Sequence, residues 1–115
     1  MHTYFLTILS QLIGGKRASV LVGDHVLQVE QQKEEEWVFS VRLSTYPKQE
    51  ILSCFSSTGT FLFSQRDAIL YYDPRREGIY VSQSFRIPEK KYIPFKQCLS
   101  SFLKRVSEYE EIFSL

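Results

Sequence analysis

The stretch Trp37-Val38-Phe39-Ser40-Val41-Arg42-Leu43 decides the fold. Trp37, Phe39, Val41 and Leu43 recur at every second position, with Val38, Ser40 and Arg42 between them. A period of two belongs to a β-strand with one buried face. Toward the N-terminus, Lys33-Glu34-Glu35-Glu36 reads as a solvated turn, and residues 26–31 before it read as a second strand with Val26, Leu27 and Val29 apolar. Gly23-Asp24 is a hairpin-type turn, preceded by a short apolar strand over residues 18–22. Three successive strands on short connections form an antiparallel meander. Toward the C-terminus, residues 68–72 and 79–87 read as two more strands, joined by Asp73-Pro74-Arg75-Arg76-Glu77-Gly78, where Pro and Gly take turn positions.

Helical patterns flank and interrupt these strands. Phe5, Ile8, Leu9, Leu12 and Ile13 share one face of a helix over residues 4–13, with Thr3 as its N-cap. Gly14-Gly15 stops it, because glycine accepts the left-handed conformation after a helix. Pro47 opens a second helix, with Ile51, Leu52 and Phe55 on one face; it fades into the Ser/Thr/Gly run 56–60. Phe61-Leu62-Phe63 is an apolar patch just beyond. Pro88 and Pro94 bracket a linker, and Pro94 suits the first position of a last helix. Phe95, Leu99, Phe102, Leu103, Val106 and Phe113 form its apolar stripe. The order α-β-β-β-α-β-β-α predicts an α+β sandwich, a five-stranded, mainly antiparallel sheet with three helices against one face.

Length and composition agree with one domain over residues 1–115. Nine Phe, seven Tyr and one Trp argue against disorder. The longest uncharged N-terminal run, residues 1–15, is too short and too polar to span a membrane. No basic residue precedes it and no A-x-A-like site ends it, so no signal peptide is expected and the domain is placed in the cytoplasm. Cys54 and Cys98 there read as small core residues, too few for a zinc site.

No catalytic pattern stands out. The chain has no phosphate-cradling G-x-x-x-x-G-K-[ST], no G-x-G-x-x-G and no G-x-S-x-G. His25 reads as a surface or capping residue and Glu34-Glu35-Glu36 as a solvated turn. Neither enzymatic chemistry, a cofactor nor a metal is expected. Charge separates along the chain: residues 1–36 balance to −2 and residues 66–105 to +5, within a net charge of +1. Arg75, Arg76, Arg86, Lys90, Lys91 and Lys96, near Tyr71, Tyr72, Tyr80 and Tyr92, give an alternative reading as a nucleic-acid or regulatory surface. The low net charge speaks against it. The surplus of aromatic residues points instead to a protein-binding surface or a dimer seam.

The element order, over nearly the whole chain, resembles the class I type III secretion chaperones (the Tir-chaperone family). The matching features are the amphipathic start 5–13 with its Gly-Gly stop, the meander 18–43 and the short helix 51–55. The hairpin 68–88, with its D-P-x-x-x-G turn and closing Pro, and the long last helix 95–113 match as well. Members are typically acidic, whereas this chain is near neutral. The resemblance implies a bacterial cytoplasmic chaperone without catalysis. It would bind the N-terminal part of a secreted effector in an extended state and keep it soluble and ready for export. It further implies a homodimer, a heterodimer with another small chaperone being the variant arrangement. Carried over, the dimer interface falls on Ile51, Leu52, Phe55, Ile69, Tyr71 and Tyr72. The client grooves fall on outward-facing members of Phe5, Leu9, Leu12, Val20, Val22, Val38 and Arg42.

Overall fold

The structure, a computed structural model, describes residues 2–44, 61–65, 67–73, 75–76 and 78–113. Helix α1 (His2–Ile13) is followed by strands β1 (Arg17–Val22), β2 (His25–Lys33) and β3 (Glu36–Ser44). Then come β4 (Phe61–Gln65), β5 (Ala68–Asp73), β6 (Gly78–Arg86), a single 3-10 turn (Pro88–Lys90) and helix α2 (Tyr92–Phe113). The strands form one antiparallel sheet in the order β1-β2-β3-β6-β5-β4.

The α+β class, the meander and the second hairpin follow the sequence reading. The sheet, however, has six strands rather than five. The patch Phe61-Leu62-Phe63 is part of β4, which pairs with β5 through Gln65↔Ala68 and Phe61↔Tyr71. Three consecutive apolar residues carry no period, so that strand left no signature of its own. Two α-helices lie among the described residues; the helix expected from Pro47 through Phe55 falls outside them.

Local chemistry explains most boundaries. The β1–β2 hairpin closes on Gly23 with φ +60, a value glycine adopts without steric cost. Helix α1 begins at His2, which places Thr3 inside the first turn rather than at the cap. Its end also differs from expectation: Gly14 is not left-handed, and its N–H instead donates to Gln11 O at 3.2 Å in a tightened last turn. The expected linker after Pro88 is mostly structured. Pro94 sits third in α2, not first, where it still lacks no intrahelical bond.

Both helices cover one face of the sheet. Phe5, Ile8 and Leu12 of α1, and Phe95, Leu99, Phe102 and Val106 of α2, are buried against Leu27, Val29, Trp37, Phe39, Val41, Leu70 and Val81. Phe39 lies at the centre, with ring centroids 5.0 Å from Phe85, 6.0 Å from Phe95 and 5.8 Å from Phe102. Two polar ties fix the far end of α2. Tyr109 donates its hydroxyl to Ala68 O at 2.8 Å, and His25 Nε2 lies 3.1 Å from Glu110 Oε1.

Truncating the buried ring in Phe102→Ala should therefore cost about 3–5 kcal/mol. Ile13→Ala, at a position 86% exposed, should change stability by less than about 0.5 kcal/mol. Urea denaturation of the two variants checks this; equal losses would contradict the packing described.

Candidate functional site

The alternation that buries one face of the sheet turns the other outward, and no described helix covers it. Ser19, Gln28, Val38, Ser40, Tyr71 and Ser82 line a shallow depression there of about 610 Å³, with Gln11 and Arg17 at one rim and Arg76 at the other. Its floor is low because the central side chains are short: Ser40 and Ser82 face each other across β3 and β6 with their hydroxyl oxygens 3.2 Å apart.

The Arg76 rim is held rigidly. The hairpin between β5 and β6 bends Arg76 back over the open face, its guanidinium 4.1 Å from the centre of the Tyr80 ring. Tyr80 in turn stacks on Tyr71 at 5.8 Å. Arg76 Nε donates to Asp73 Oδ2 at 2.8 Å, and Asp73 Oδ1 accepts from the Arg75 N–H at 2.9 Å. The hydrogen bond from Arg76 holds the Asp73 carboxyl below the usual carboxylate range and keeps Arg76 itself more firmly charged. Burial pushes the Tyr71 hydroxyl up, against the pull of the same guanidinium. Arg42 reaches this cluster too, donating from Nη2 to Arg76 O at 3.0 Å.

The residues assigned from the resemblance divide between the two faces. Ile69, 40% exposed, and half-buried Tyr71 lie on the open face, whereas Tyr72 packs against the core on the helix side. Ile51, Leu52 and Phe55 lie outside the described residues. Of the client residues, Val38 and Arg42 are on the open face. Phe5, Leu12 and Val22 are core residues, so they are not among the outward-facing members. Leu9 and Val20 are partly buried against the same core. The reason is local: α1 lays its apolar stripe on the sheet, and Val20 and Val22 share the helix-side face of β1 with Ala18.

Two exposed apolar residues of the open face escaped the sequence reading as surface positions. Leu21, 63% exposed, and Val26, 50% exposed, pair across β1 and β2 on the open face. Their signal was present, since they flank the Gly23-Asp24 turn in antiphase to the buried Val22 and Leu27. Among the described residues, four of the nine basic residues of 66–105 pair with neighbouring acids, Arg76 with Asp73 for one. Arg86 meets Glu35 at 2.9 Å, Lys91 meets Glu89 at 3.1 Å, and Arg105 meets Glu108 at 2.6 Å. Among the described residues, no three His, Cys, Asp or Glu side chains gather as a metal-binding group. No helix among them is long and apolar enough to cross a membrane.

No protein-family model matches the chain, and no curated protein does. Among solved structures, a chain of the ExoT–SpcS complex from Pseudomonas aeruginosa shares its fold. The TM-score is 0.55 at 16% sequence identity, over 91% of this chain and 95% of that one.

The Asp73–Arg76 bond makes a pH prediction. A carboxylate held below its ordinary pKa of about 3.9 contributes stability that is complete above that value. The contribution is lost as pH falls through the lower folded-state value. In Arg76→Ala the Asp73 carboxyl should titrate closer to the ordinary value, the backbone N–H bonds to its Oδ1 remaining, and the acid limb of the stability curve should shift upward in pH. NMR titration of the carboxyl carbon measures this, and an unchanged midpoint would remove Arg76 as the cause.

Proposed function

We propose that the chain is a type III secretion chaperone. In this reading it binds the N-terminal region of a secreted effector in an extended state and keeps it soluble and export-competent. It acts as a homodimer in the bacterial cytoplasm, without catalysis. The observation that carries the proposal is the fold itself, shared along nearly the full length of both chains with a member of a two-protein complex. Read with the family resemblance of the sequence, the ExoT–SpcS pair stands for an effector and its chaperone.

The geometry supports this function over a nucleic-acid one. A sheet face that no described helix covers, with Leu21, Val26 and Val38 accessible, gives an extended, partly apolar client a surface to lie on. A client that orders on binding needs a large contact area, which one small pocket would not give and two copies of a broad face would. The dimer seam is assigned to Ile51, Leu52 and Phe55 with Ile69, Tyr71 and Tyr72. The client surface is assigned to Val38 and Arg42 on the open face. The local pairing of Arg76, Arg86, Lys91 and Arg105 with carboxylates reduces the attraction that the basic stretch exerts on phosphates.

Affinity capture from the native cytoplasm at low and at high salt tests the proposal. A stoichiometric protein bound through its N-terminal region and retained at high salt is expected. Nucleic acid, released as salt rises, would favour the alternative and contradict the chaperone reading. Val38→Asp should weaken capture at least tenfold by placing a charge under the client. Tyr71→Asp should convert dimer to monomer by light scattering, and wild-type behaviour in both variants would remove these surfaces.

A further inference from the structure

The Arg76 guanidinium is firmly held, yet its outer edge is poorly used. Nε is engaged by Asp73 at 2.8 Å, and one face lies on the Tyr80 ring at 4.1 Å. Arg42 pins the hairpin backbone by donating to Arg76 O at 3.0 Å. The two terminal nitrogens differ. Nη1 and Nη2 reach Gln28 Oε1 and the Tyr71 hydroxyl only at 3.5 Å each, well beyond the roughly 2.9 Å of a good N–H···O bond. Gln28 and Tyr71 both line the depression of the open face, so the fork stands over it. The register sets Gln28, Ser40 and Ser82 side by side across β2, β3 and β6, with Tyr80 and Tyr71 paired in the next row. Of the Ser40 and Ser82 hydroxyls, 3.2 Å apart, one gives its proton to the other and the second keeps a proton to donate. Burial raises the Tyr71 hydroxyl, so it also holds its proton at neutral pH. At the opposite rim the Gln11 amide is engaged: it clips Ser19, donating from Nε2 to Ser19 O at 2.9 Å and accepting from the Ser19 N–H at 2.8 Å. Donors therefore gather at the Arg76 end, and among the described residues no carboxylate or backbone carbonyl takes the Nη protons.

We propose that this end of the depression is a carboxylate receptor, in which the Arg76 fork above the Ser40–Ser82 floor takes the side chain of an acidic residue in the polypeptide that lies on the open face. That the polypeptide is a secreted effector rests on the chaperone reading; the receptor itself does not. Charge selects the anion. Around the depression Arg17, Arg42 and Arg76 stand against Glu30 and Asp73, a surplus of one positive charge. That surplus matches a carboxylate monoanion and falls short of a phosphate dianion. Geometry selects it as well, because the two Nη groups form a planar fork that two carboxylate oxygens fit. The Tyr80 ring and Asp73 already fix the plane of that fork, so little side-chain freedom is lost on binding. The amide oxygen of Gln28 is the weak acceptor that the carboxylate displaces. A free small acid would be held by this contact alone, since the depression is shallow. A residue within an extended chain is held also through its neighbours on Leu21, Val26 and Val38. The acid thus fixes the register of the chain and selects which chain binds, more than it adds affinity. Tyr71 borders the proposed seam too; only its hydroxyl belongs to the receptor.

The test uses the full chain, isotope-labelled for NMR, and a single capped residue, N-acetyl-glutamate N-methylamide, beside its glutamine counterpart at the same ionic strength. The capped glutamate should shift and split the Arg76 Nη signals, because a bidentate carboxylate slows rotation about the Cζ–Nη bonds, and should shift the amides of Ser40 and Ser82. The capped glutamine should do neither. Arg76→Lys keeps the charge and loses the fork, so it should weaken the capped glutamate about fivefold or more. Ser82→Val suits a strand but raises the floor and removes a donor. It should weaken binding about threefold or more while the Asp73 carboxyl titrates as before. In a complex with a captured effector segment, replacing one acidic residue of that segment by its amide should cost as much affinity as Arg76→Lys, and nothing further in that variant. No response at Arg76, equal responses to the two capped residues, or indifference to both variants would overturn the proposal. Shifts centred on Lys90, Lys91 and Lys96, or tighter binding of inorganic phosphate, would do so as well. If capture succeeds and the segment binds Arg76→Lys as tightly as the unaltered chain, the chaperone reading stands and the receptor falls. If capture fails, the capped residues still decide the receptor.

Discussion

Phe39 sits where three elements meet, on β3 beneath α2 and beside Phe85 of β6, and its contacts with Phe95 and Phe102 hold the long helix to the middle of the sheet. These tilted and edge-on ring pairs belong to chain segments far apart in sequence, so they also set the topology. Once α2 is seated on β3 and β6, the N-terminal meander and the C-terminal hairpin must share one sheet. Helix α1 then covers the remaining apolar strip near β1. Everything on the helix side is consumed in this packing, including Phe5, Leu12 and Val22, which a reading of α1 and β1 alone leaves available for a partner.

The opposite face follows from the same constraint. A strand that spends its large residues on the core has the intervening positions left for solvent or a partner, and in β3 and β6 several of these are serines. The result is a low floor with structured rims, Arg76 on its tyrosines at one side and Gln11 on the β1 edge at the other. The rims differ in kind. Arg76 is fixed by a carboxylate, a ring and backbone contacts, whereas Gln11 is one exposed side chain on one residue.

Strand positions and their buried sides were legible from Trp37, Phe39 and Val41 because a strict period of two survives in a single sequence. The helix stripes of α1 and α2 were legible for the corresponding reason. Strand β4 was not, since Phe61-Leu62-Phe63 has no alternation and its pairing with β5 is a tertiary fact. The open face was legible in part: Val38, Arg42, Ile69 and Tyr71 were named, but on grounds that grouped them with core residues. The Gln11–Ser19 clip leaves no mark in the sequence. It depends on the angle at which α1 returns to β1, which the Gly14-Gly15 connection permits without specifying.

Hydrogen exchange of the chain, alone and bound to the N-terminal segment of the protein it captures, tests the central claim most directly. The account predicts added protection along the open face, in β1, β2 and β3. Protection confined to residues 86–96, with β1 to β3 unchanged, would contradict it.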